Sequence, residues 1–147
     1  MDKITLVTGG AKSGKSLFAE THVRAYGLTL VYIATSQAFD TEMEDRIAAH
    51  KTQRGAGWDT VEEPLNLCGA LARTDGAGAR LVDCMTLWLS NVMHAELDWQ
   101  AELEKVLQCL REQSSPVVLV TNEVGGGIVP MSALARRYRD ASGLMNQ

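Results

Sequence analysis

The sequence has 147 residues, 46% of them hydrophobic, which is enough for one domain with a single core. Its formal net charge is −4 and it has no long basic run, so we expect no nucleic-acid partner. No apolar run approaches the ~20 residues that a membrane span needs, and no signal-peptide pattern precedes the first apolar run.

The first predicted elements are a strand, a glycine-rich loop and a helix. The strand spans residues 3–7, and the helix spans residues 15–26 with Gly27 just past its end. The loop fits the pattern G-x-x-x-x-G-K-[ST] at every fixed position, through Gly9, Gly10, Ala11, Lys12, Ser13, Gly14, Lys15 and Ser16. Glycines let backbone N–H groups turn toward a phosphate, and the helix N-terminus adds a partial positive charge. We therefore predict a nucleoside triphosphate site, with Lys15 at the β- and γ-phosphates and the Ser16 hydroxyl on Mg²⁺.

Short apolar runs alternate with helical patterns along the rest of the chain. Strands are predicted at residues 28–34, 58–62, 80–84 and 117–120, and helices at 41–54, 65–73, 87–94, 100–113 and from 132. Asp40 and Asp98 stand where they can cap helices. The alternation predicts a mostly parallel α/β sheet with helices on both faces. Because we find no repeat and no linker, we predict a single domain over residues 1–147.

The candidate chemical residues follow strand ends, where open α/β sheets bind their ligands. Asp83 ends an apolar strand and is the natural partner of the phosphate loop, because an acid there can hold Mg²⁺ directly or through water. The plainer alternative is that Asp83 caps the following helix. Glu62 and Glu63 end another strand before Pro64, and either of them can cap the next helix.

His50 lies on a helical stripe with Met43, Arg46, Ile47 and Arg54. A histidine on an apolar stripe is usually a packing residue. However, Arg46 and Arg54 lie one turn on either side, which is costly beside a buried neutral histidine unless an anion lies there. A phosphate provides that anion, and the imidazole is then a ligand contact, a proton carrier or a nucleophile. The periodicity does not choose among these roles.

The three cysteines are Cys68, Cys84 and Cys109. Their odd number and the lack of a Cys-x-x-Cys spacing predict reduced, mostly buried thiols. Together with the missing signal-peptide pattern, this favours a cytoplasmic protein.

Four stretches together resemble one family, the bifunctional adenosylcobinamide kinase/adenosylcobinamide-phosphate guanylyltransferases of cobalamin biosynthesis. They are ITLVTGGAKSGKS, YIATSQAFDTEMEDRIAAHKTQRGAGWDTVEEP, LVDCMTLWLSN and VVLVTNEVGGGIVPMSALARRYRD. They follow the family order and cover most of the chain. The pairing of RIAAH with the later TNEVGGGIVP is highly specific, because ordinary small kinases carry neither. The resemblance implies a fold like that of P-loop nucleoside triphosphate hydrolases.

The resemblance also implies roles for individual residues. Residues 9–16 would bind the nucleotide phosphates, His50 would accept GMP covalently, and the site would be framed by Ala34, Thr35 and Ser36. Further nucleotide contacts would come from Lys51, Thr52, Gln53, Arg54, Glu62 and Asp83. Lys12 stands where the family usually has arginine, which keeps the charge but loses bidentate phosphate geometry. We expect this change to weaken nucleotide binding without abolishing it.

Two reactions follow from the resemblance. ATP or GTP would phosphorylate adenosylcobinamide, and GMP would then pass from GTP through a guanylyl-histidine to adenosylcobinamide phosphate, giving adenosylcobinamide-GDP. Mg²⁺ would assist, and the family suggests a homotrimer. Two alternatives stay open: a simple P-loop small-molecule kinase in which His50 only contacts phosphate, and a nucleotide-binding switch without transfer chemistry.

The last expectation from the resemblance concerns the end of the chain. The family continues past the positions of Asn146 and Gln147 with more helix and a final strand. We therefore expect this form to lack that helix end and that strand. A chain without a sheet strand should be less stable than one extended by it, because apolar side chains lose their cover.

Overall fold

The computed structural model describes residues 3–9, 14–36, 44–45, 48–49 and 57–122. The strands in these ranges are β1 (Ile4–Gly9), β2 (Leu30–Ala34), β3 (Trp58–Glu62), β4 (Ala79–Asp83) and β5 (Val117–Asn122). The helices are α1 (Lys15–Arg24), α2 (Leu67–Thr74), α3 (Met85–His94) and α4 (Trp99–Glu112). Among these helices, none is both long and apolar enough to cross a membrane.

The five strands form one sheet in the order β1-β5-β4-β2-β3, and every neighbouring pair is parallel. This confirms the predicted parallel α/β architecture. The order places β5 between β1 and β4, so the strand that leads into the glycine-rich loop does not pair with the strand that ends in Asp83.

Alternate strand residues belong to two hydrophobic clusters, one on each face of the sheet. On one side, Ala19 and Val23 of α1 pack with Val7, Tyr32, Leu81, Val118 and Val120; we call this side the α1 face. On the opposite face, side chains of α2, α3 and α4 pack with Val31, Ile33, Val82, Val117 and Leu119. A strand that is covered on both faces needs apolar residues at nearly every position. This requirement explains the apolar runs of β2 and β5, whereas β4 includes the buried Arg80.

Several predicted element bounds are wrong by a residue or two. β1 runs on to Gly9 because Thr8 and Gly9 pair with Thr121 and Asn122, which also lengthens β5. α1 ends at Arg24, earlier than predicted. Pairing across the sheet decides where strands end, and a short apolar run does not reveal its partner.

The helix caps can be compared with their predictions where the residues are described. Asp98 caps α4 as predicted, since its carboxylate accepts from the backbone N–H groups of Gln100 and Ala101 at 3.1 and 3.3 Å. Residues 44, 45, 48 and 49, within the helix predicted for 41–54, are helical. Asp40 and the helix predicted from residue 132 lie outside the described residues.

An internal arginine joins two loops at the amino ends of β4 and β5. Arg80 is fully buried. Its guanidinium donates to the carbonyl oxygens of Leu71 and Ser115, both at 2.8 Å, and to Thr74 Oγ1 at 3.1 Å. It also lies 3.6 Å from the Asp75 carboxylate, which accepts from the Ser115 backbone N–H at 2.9 Å. We call Arg80, Thr74, Asp75 and Ser115 the amino-edge clamp, because they tie the end of α2 to the loop before β5.

The substitution Asp75→Asn should lower stability at neutral pH and have little effect in acid. The Ser115 N–H lowers the pKa of Asp75 from its usual 3.8, with help from Ser114 and the Arg80 charge, although burial acts in the opposite direction. A carboxyl with a lower pKa in the folded chain stabilises the fold above its unfolded pKa. That stabilisation disappears as the pH falls through the folded pKa.

Urea unfolding of both proteins at pH 7 and at several successively lower pH values below about 4 tests this prediction, because the usual Asp pKa lies near 4 and the folded pKa of Asp75 lies lower. The difference in free energy of unfolding should shrink at the lower pH. An equal difference at both pH values would show that the Asp75 charge is not responsible.

Candidate functional site

The predicted site residues that the structure describes lie along one edge of the sheet. Parallel strands share a carboxyl edge, and here that edge includes Gly9 of β1, Ala34 of β2, Glu62 of β3 and Asp83 of β4. The register sets Ala34 directly beside both Glu62 and Asp83. Ligands of open α/β sheets bind along this edge. The fold therefore brings together residues that are far apart in the sequence.

The end of the glycine-rich loop is shaped to receive an anion. Gly14 has φ of 83°, a left-handed conformation that side chains rarely adopt, and α1 begins immediately after it. Gly14 has no side chain to cap the helix, and the first turn of α1 contains no acidic residue. The N-terminus of α1, with Lys15 and Ser16 half-buried at its start, therefore carries no competing negative charge of its own.

Asp83 ends β4 on the α1 face, the side of the sheet on which α1 packs against β4. Its Oδ2 accepts a hydrogen bond from the Tyr32 hydroxyl at 2.5 Å. The alternative that Asp83 caps the next helix is wrong. The N-cap of α3 is Cys84, whose Sγ accepts from the Leu87 backbone N–H at 3.4 Å. Asp83 therefore lies at the carboxyl edge of the sheet without capping α3.

The two glutamates after β3 have separate environments. Glu63 Oε2 accepts from the backbone N–H groups of Leu65 and Asn66 at 3.3 and 3.1 Å, so Glu63 shapes the turn into α2. Glu62 is exposed and lies opposite Ala34, on the same face of the sheet as Asp83. Neither glutamate is the N-cap of α2, so that prediction is wrong: the cap is Asn66, whose Oδ1 accepts from the Gly69 backbone N–H at 3.0 Å.

A buried polar network, which the sequence reasoning missed, supports this edge. Thr35 is fully buried, and its Oγ1 donates to the Cys84 carbonyl at 2.8 Å and accepts from the Cys84 N–H at 2.9 Å. Asn91 Nδ2 donates to the carbonyls of Thr35 at 2.6 Å and Pro64 at 3.0 Å. Asn91 thereby joins the loops after β2 and β3 to α3. A lone asparagine among the apolar residues of α3 was the available clue.

The Thr35 hydroxyl and the Cys84 thiol of this network are not free to react. The Thr35 side chain is committed to the Cys84 backbone, so any contribution of Thr35 to a bound nucleotide would come from its main chain. Burial raises the pKa of the Cys84 thiol, which keeps it protonated near neutral pH. Cys84 therefore has a structural role.

Comparison with known proteins decides the family. A family model described as "Cobinamide kinase / cobinamide phosphate guanyltransferase" matches residues 5–147. The chain belongs to this family. The "Bifunctional adenosylcobalamin biosynthesis protein CobP" of Pseudomonas aeruginosa is 47% identical over 147 residues, which cover 97% of this chain and 84% of that protein. The proteins named CobU with the same description, from Escherichia coli and Salmonella typhimurium, are each 40% identical and cover 97% of this chain and 87% of their own length.

Membership confirms the resemblance on which the sequence prediction rested. The chain is an enzyme of the cobinamide kinase and cobinamide phosphate guanyltransferase family, and its described strands form the parallel sheet that the sequence predicts.

The described oxygen donors suit the magnesium ion that a nucleotide-using kinase of this family implies. Mg²⁺ prefers hard oxygen ligands and is usually held by one or two carboxylates, waters and substrate phosphates. Ser16 in the first turn of α1 and Asp83 at the end of β4 offer a hydroxyl and a carboxylate. Within the described ranges, no group of three or more His, Cys, Asp or Glu residues is placed to hold a metal by itself. The residues thus fit an ion that arrives with its nucleotide.

The remaining predicted site residues of this family member lie outside the described residues. They are Gly10, Ala11, Lys12, Ser13, His50, Lys51, Thr52, Gln53 and Arg54. Their roles stay predictions from the sequence, and so does the choice among the three roles left open for His50.

Proposed function

We propose that this enzyme carries out two transfers in cobalamin biosynthesis. It phosphorylates adenosylcobinamide with ATP or GTP, and it then moves GMP from GTP through a guanylyl-histidine to adenosylcobinamide phosphate, giving adenosylcobinamide-GDP. One observation carries the proposal: in a member of the cobinamide kinase family, the start of α1 and the Asp83 carboxylate share one face of the carboxyl edge.

In the kinase step, the acceptor hydroxyl of adenosylcobinamide attacks the γ-phosphorus and the nucleoside diphosphate leaves. Such a transfer depends on positioning and on neutralising charge on the phosphoryl oxygens. Lys15 and the N-terminal backbone of α1 supply positive potential at the phosphates, and Ser16 and Asp83 supply oxygen ligands. Bound there with the nucleotide, Mg²⁺ neutralises charge on the β- and γ-phosphates.

In the guanylyl step, a nitrogen of the His50 imidazole attacks the α-phosphorus of GTP, and pyrophosphate leaves with the electrons of the broken P–O bond. A phosphate oxygen of adenosylcobinamide phosphate then attacks the same phosphorus and releases the imidazole. Protonation of the bridging nitrogen makes imidazole a good leaving group, so one hard displacement becomes two easier ones. The motif RIAAH and the helical residues 48–49 just before His50 support this assignment.

We place the enzyme in the cytoplasm as a homo-oligomer, for which the family resemblance suggests a trimer. The three cysteines are all free thiols, which suits a reducing compartment. The composition itself carries no indication of the number of subunits.

The products of one reaction mixture distinguish this function from its alternatives. The protein is mixed with Mg²⁺, adenosylcobinamide and GTP labelled separately at the α- or the γ-phosphate, and the corrinoids are separated by chromatography. Label from both positions in corrinoid products, first γ and then α, is the expected result. Transfer of only the γ-label would identify a simple kinase, and transfer of neither would identify a nucleotide-binding switch.

The substitution Lys15→Ala should weaken both reactions. A charge-assisted contact to phosphate contributes at least ~1.5–3 kcal/mol, so nucleotide affinity should fall by roughly 10- to 100-fold. Titration with a fluorescent GTP analogue measures the affinity, and product assays measure both transfers. The matched control is Lys105→Ala, because Lys105 is an exposed lysine whose ion pair with Glu102 at 3.1 Å lies on the surface of α4. Guanylyl transfer at wild-type affinity after loss of the kinase step would mean that two separate nucleotide sites exist.

A further inference from the structure

The Tyr32 hydroxyl reaches the Asp83 carboxylate from the neighbouring strand. The register pairs Tyr32 with Leu81 and Ala34 with Asp83, so the two side chains lie diagonally on the α1 face. The phenol spans this diagonal, and its hydroxyl donates to Asp83 Oδ2 at 2.5 Å. A hydrogen bond to an ionised carboxylate is shorter and stronger than one between neutral groups.

The tyrosine ring is buried and packs against Trp58. Tyr32 is 6% exposed and belongs to the cluster on the α1 face. Its ring stands edge-on to Trp58, with centroids 6.0 Å apart and planes at 87°, and the Arg24 guanidinium lies 5.4 Å from the Trp58 ring centroid. Phenylalanine would fill the same space without the need to satisfy a buried hydroxyl. The hydroxyl therefore calls for an explanation beyond packing.

We propose that Tyr32 is a positioning residue for the magnesium ligand Asp83, an inference that rests on the proposed function. The hydroxyl occupies Oδ2 and sets the rotation of the carboxylate, which leaves Oδ1 for the ion or for a water bound to it. Residues behind metal ligands orient those ligands, and losing one typically lowers metal affinity by about 10- to 100-fold. In this arrangement Tyr32 acts on the metal through Asp83.

The test is the Mg²⁺ dependence of nucleotide binding by Tyr32→Phe. A fluorescent GTP analogue is titrated into the protein in EDTA and at increasing Mg²⁺ concentrations, without any turnover. We expect the half-saturating Mg²⁺ concentration to rise by about 10-fold, while the affinity in EDTA stays at the wild-type value. The matched control is Tyr26→Phe, which removes the same hydroxyl from a tyrosine just past the C-terminal end of α1 and should leave both values unchanged.

A double-mutant comparison with Asp83→Asn shows whether Tyr32 acts through Asp83. In the Asp83→Asn background, Tyr32→Phe should add no further change in Mg²⁺ half-saturation. A normal half-saturation in Tyr32→Phe, with an altered one in Asp83→Asn, would overturn this inference and leave the proposed site intact. Equal losses of affinity with and without Mg²⁺ would show that Tyr32 has only a structural role and would also overturn it. An unchanged Mg²⁺ half-saturation in Asp83→Asn would show that Asp83 is not a magnesium ligand and would contradict the proposed metal site itself.

Discussion

Replacing His50 by alanine should abolish covalent attachment of GMP to the protein. After incubation with GTP labelled at the α-phosphate, the wild-type protein should keep the label through denaturing electrophoresis. A phosphoramidate bond to histidine is acid-labile and base-stable, and the label should behave accordingly. Removing a nucleophile leaves only binding and electrostatic stabilisation, so guanylyl transfer should fall on the order of 10⁴-fold or more.

The controls for this prediction separate loss of the nucleophile from loss of the fold. His94→Ala removes an exposed histidine whose Nδ1 lies 2.9 Å from the Ser90 carbonyl oxygen, and it should label like the wild type. Transfer of the γ-phosphoryl group by His50→Ala should stay within a few-fold of normal. Undiminished labelling of His50→Ala would assign the covalent nucleotide to another residue.

The second large effect concerns stability and comes from the amino-edge clamp. Arg80→Ala should destabilise the protein by about 3–5 kcal/mol, because it truncates a fully buried side chain and removes several buried hydrogen bonds at once. The substitution leaves a cavity and strips donors from the buried carbonyls of Leu71 and Ser115. Because small domains have only about 5–15 kcal/mol of stability in total, much of the protein should be unfolded at modest urea concentrations.

Arg73→Ala is the matched control for this measurement. Arg73 is 62% exposed and lies 3.7 Å from Glu63 in a surface ion pair, for which a change of about 0–1 kcal/mol is expected. Arg80→Lys should fall between the two, since a lysine keeps the charge but cannot reach three oxygen atoms with one planar group. Similar urea midpoints for Arg80→Ala and Arg73→Ala would mean that the clamp does not hold the fold together.

Much of the fold could be predicted because local patterns carry it. The apolar runs of β2, β4 and β5 predict strands that are buried on both faces, and Asp98 predicts the start of α4. The strand order could not be predicted, because the pairing of β1 with β5 depends on contacts between distant parts of the chain. The ends of several strands were predicted wrongly for the same reason.

In the candidate site too, features set by neighbouring residues could be predicted and those set by distant contacts could not. The glycine-rich loop and Asp83 could be predicted, because each is recognised from the residues next to it in the sequence. The hydrogen-bond partner of Asp83 could not be predicted, because in the sequence Tyr32 looks like any aromatic residue of a buried strand. Only the strand register shows that it lies diagonally from the carboxylate. Arg80 likewise reads as an ordinary cation at a strand start, and only the folded loops show the carbonyls that enclose it.

The position of β1 in the sheet has a consequence for how the protein is made. Among the described strands, β1 pairs only with β5, with Ile4 opposite Val117 and Gly9 opposite Asn122, so this pairing has to wait until β5 has been synthesised. Closing so long a loop is slow, and parallel pairing between distant segments delays folding. Until then β1, which leads into the glycine-rich loop, lacks its partner among the described strands. A nucleotide stabilises only the state that binds it, so it can secure the finished sheet but cannot guide the nascent chain toward it.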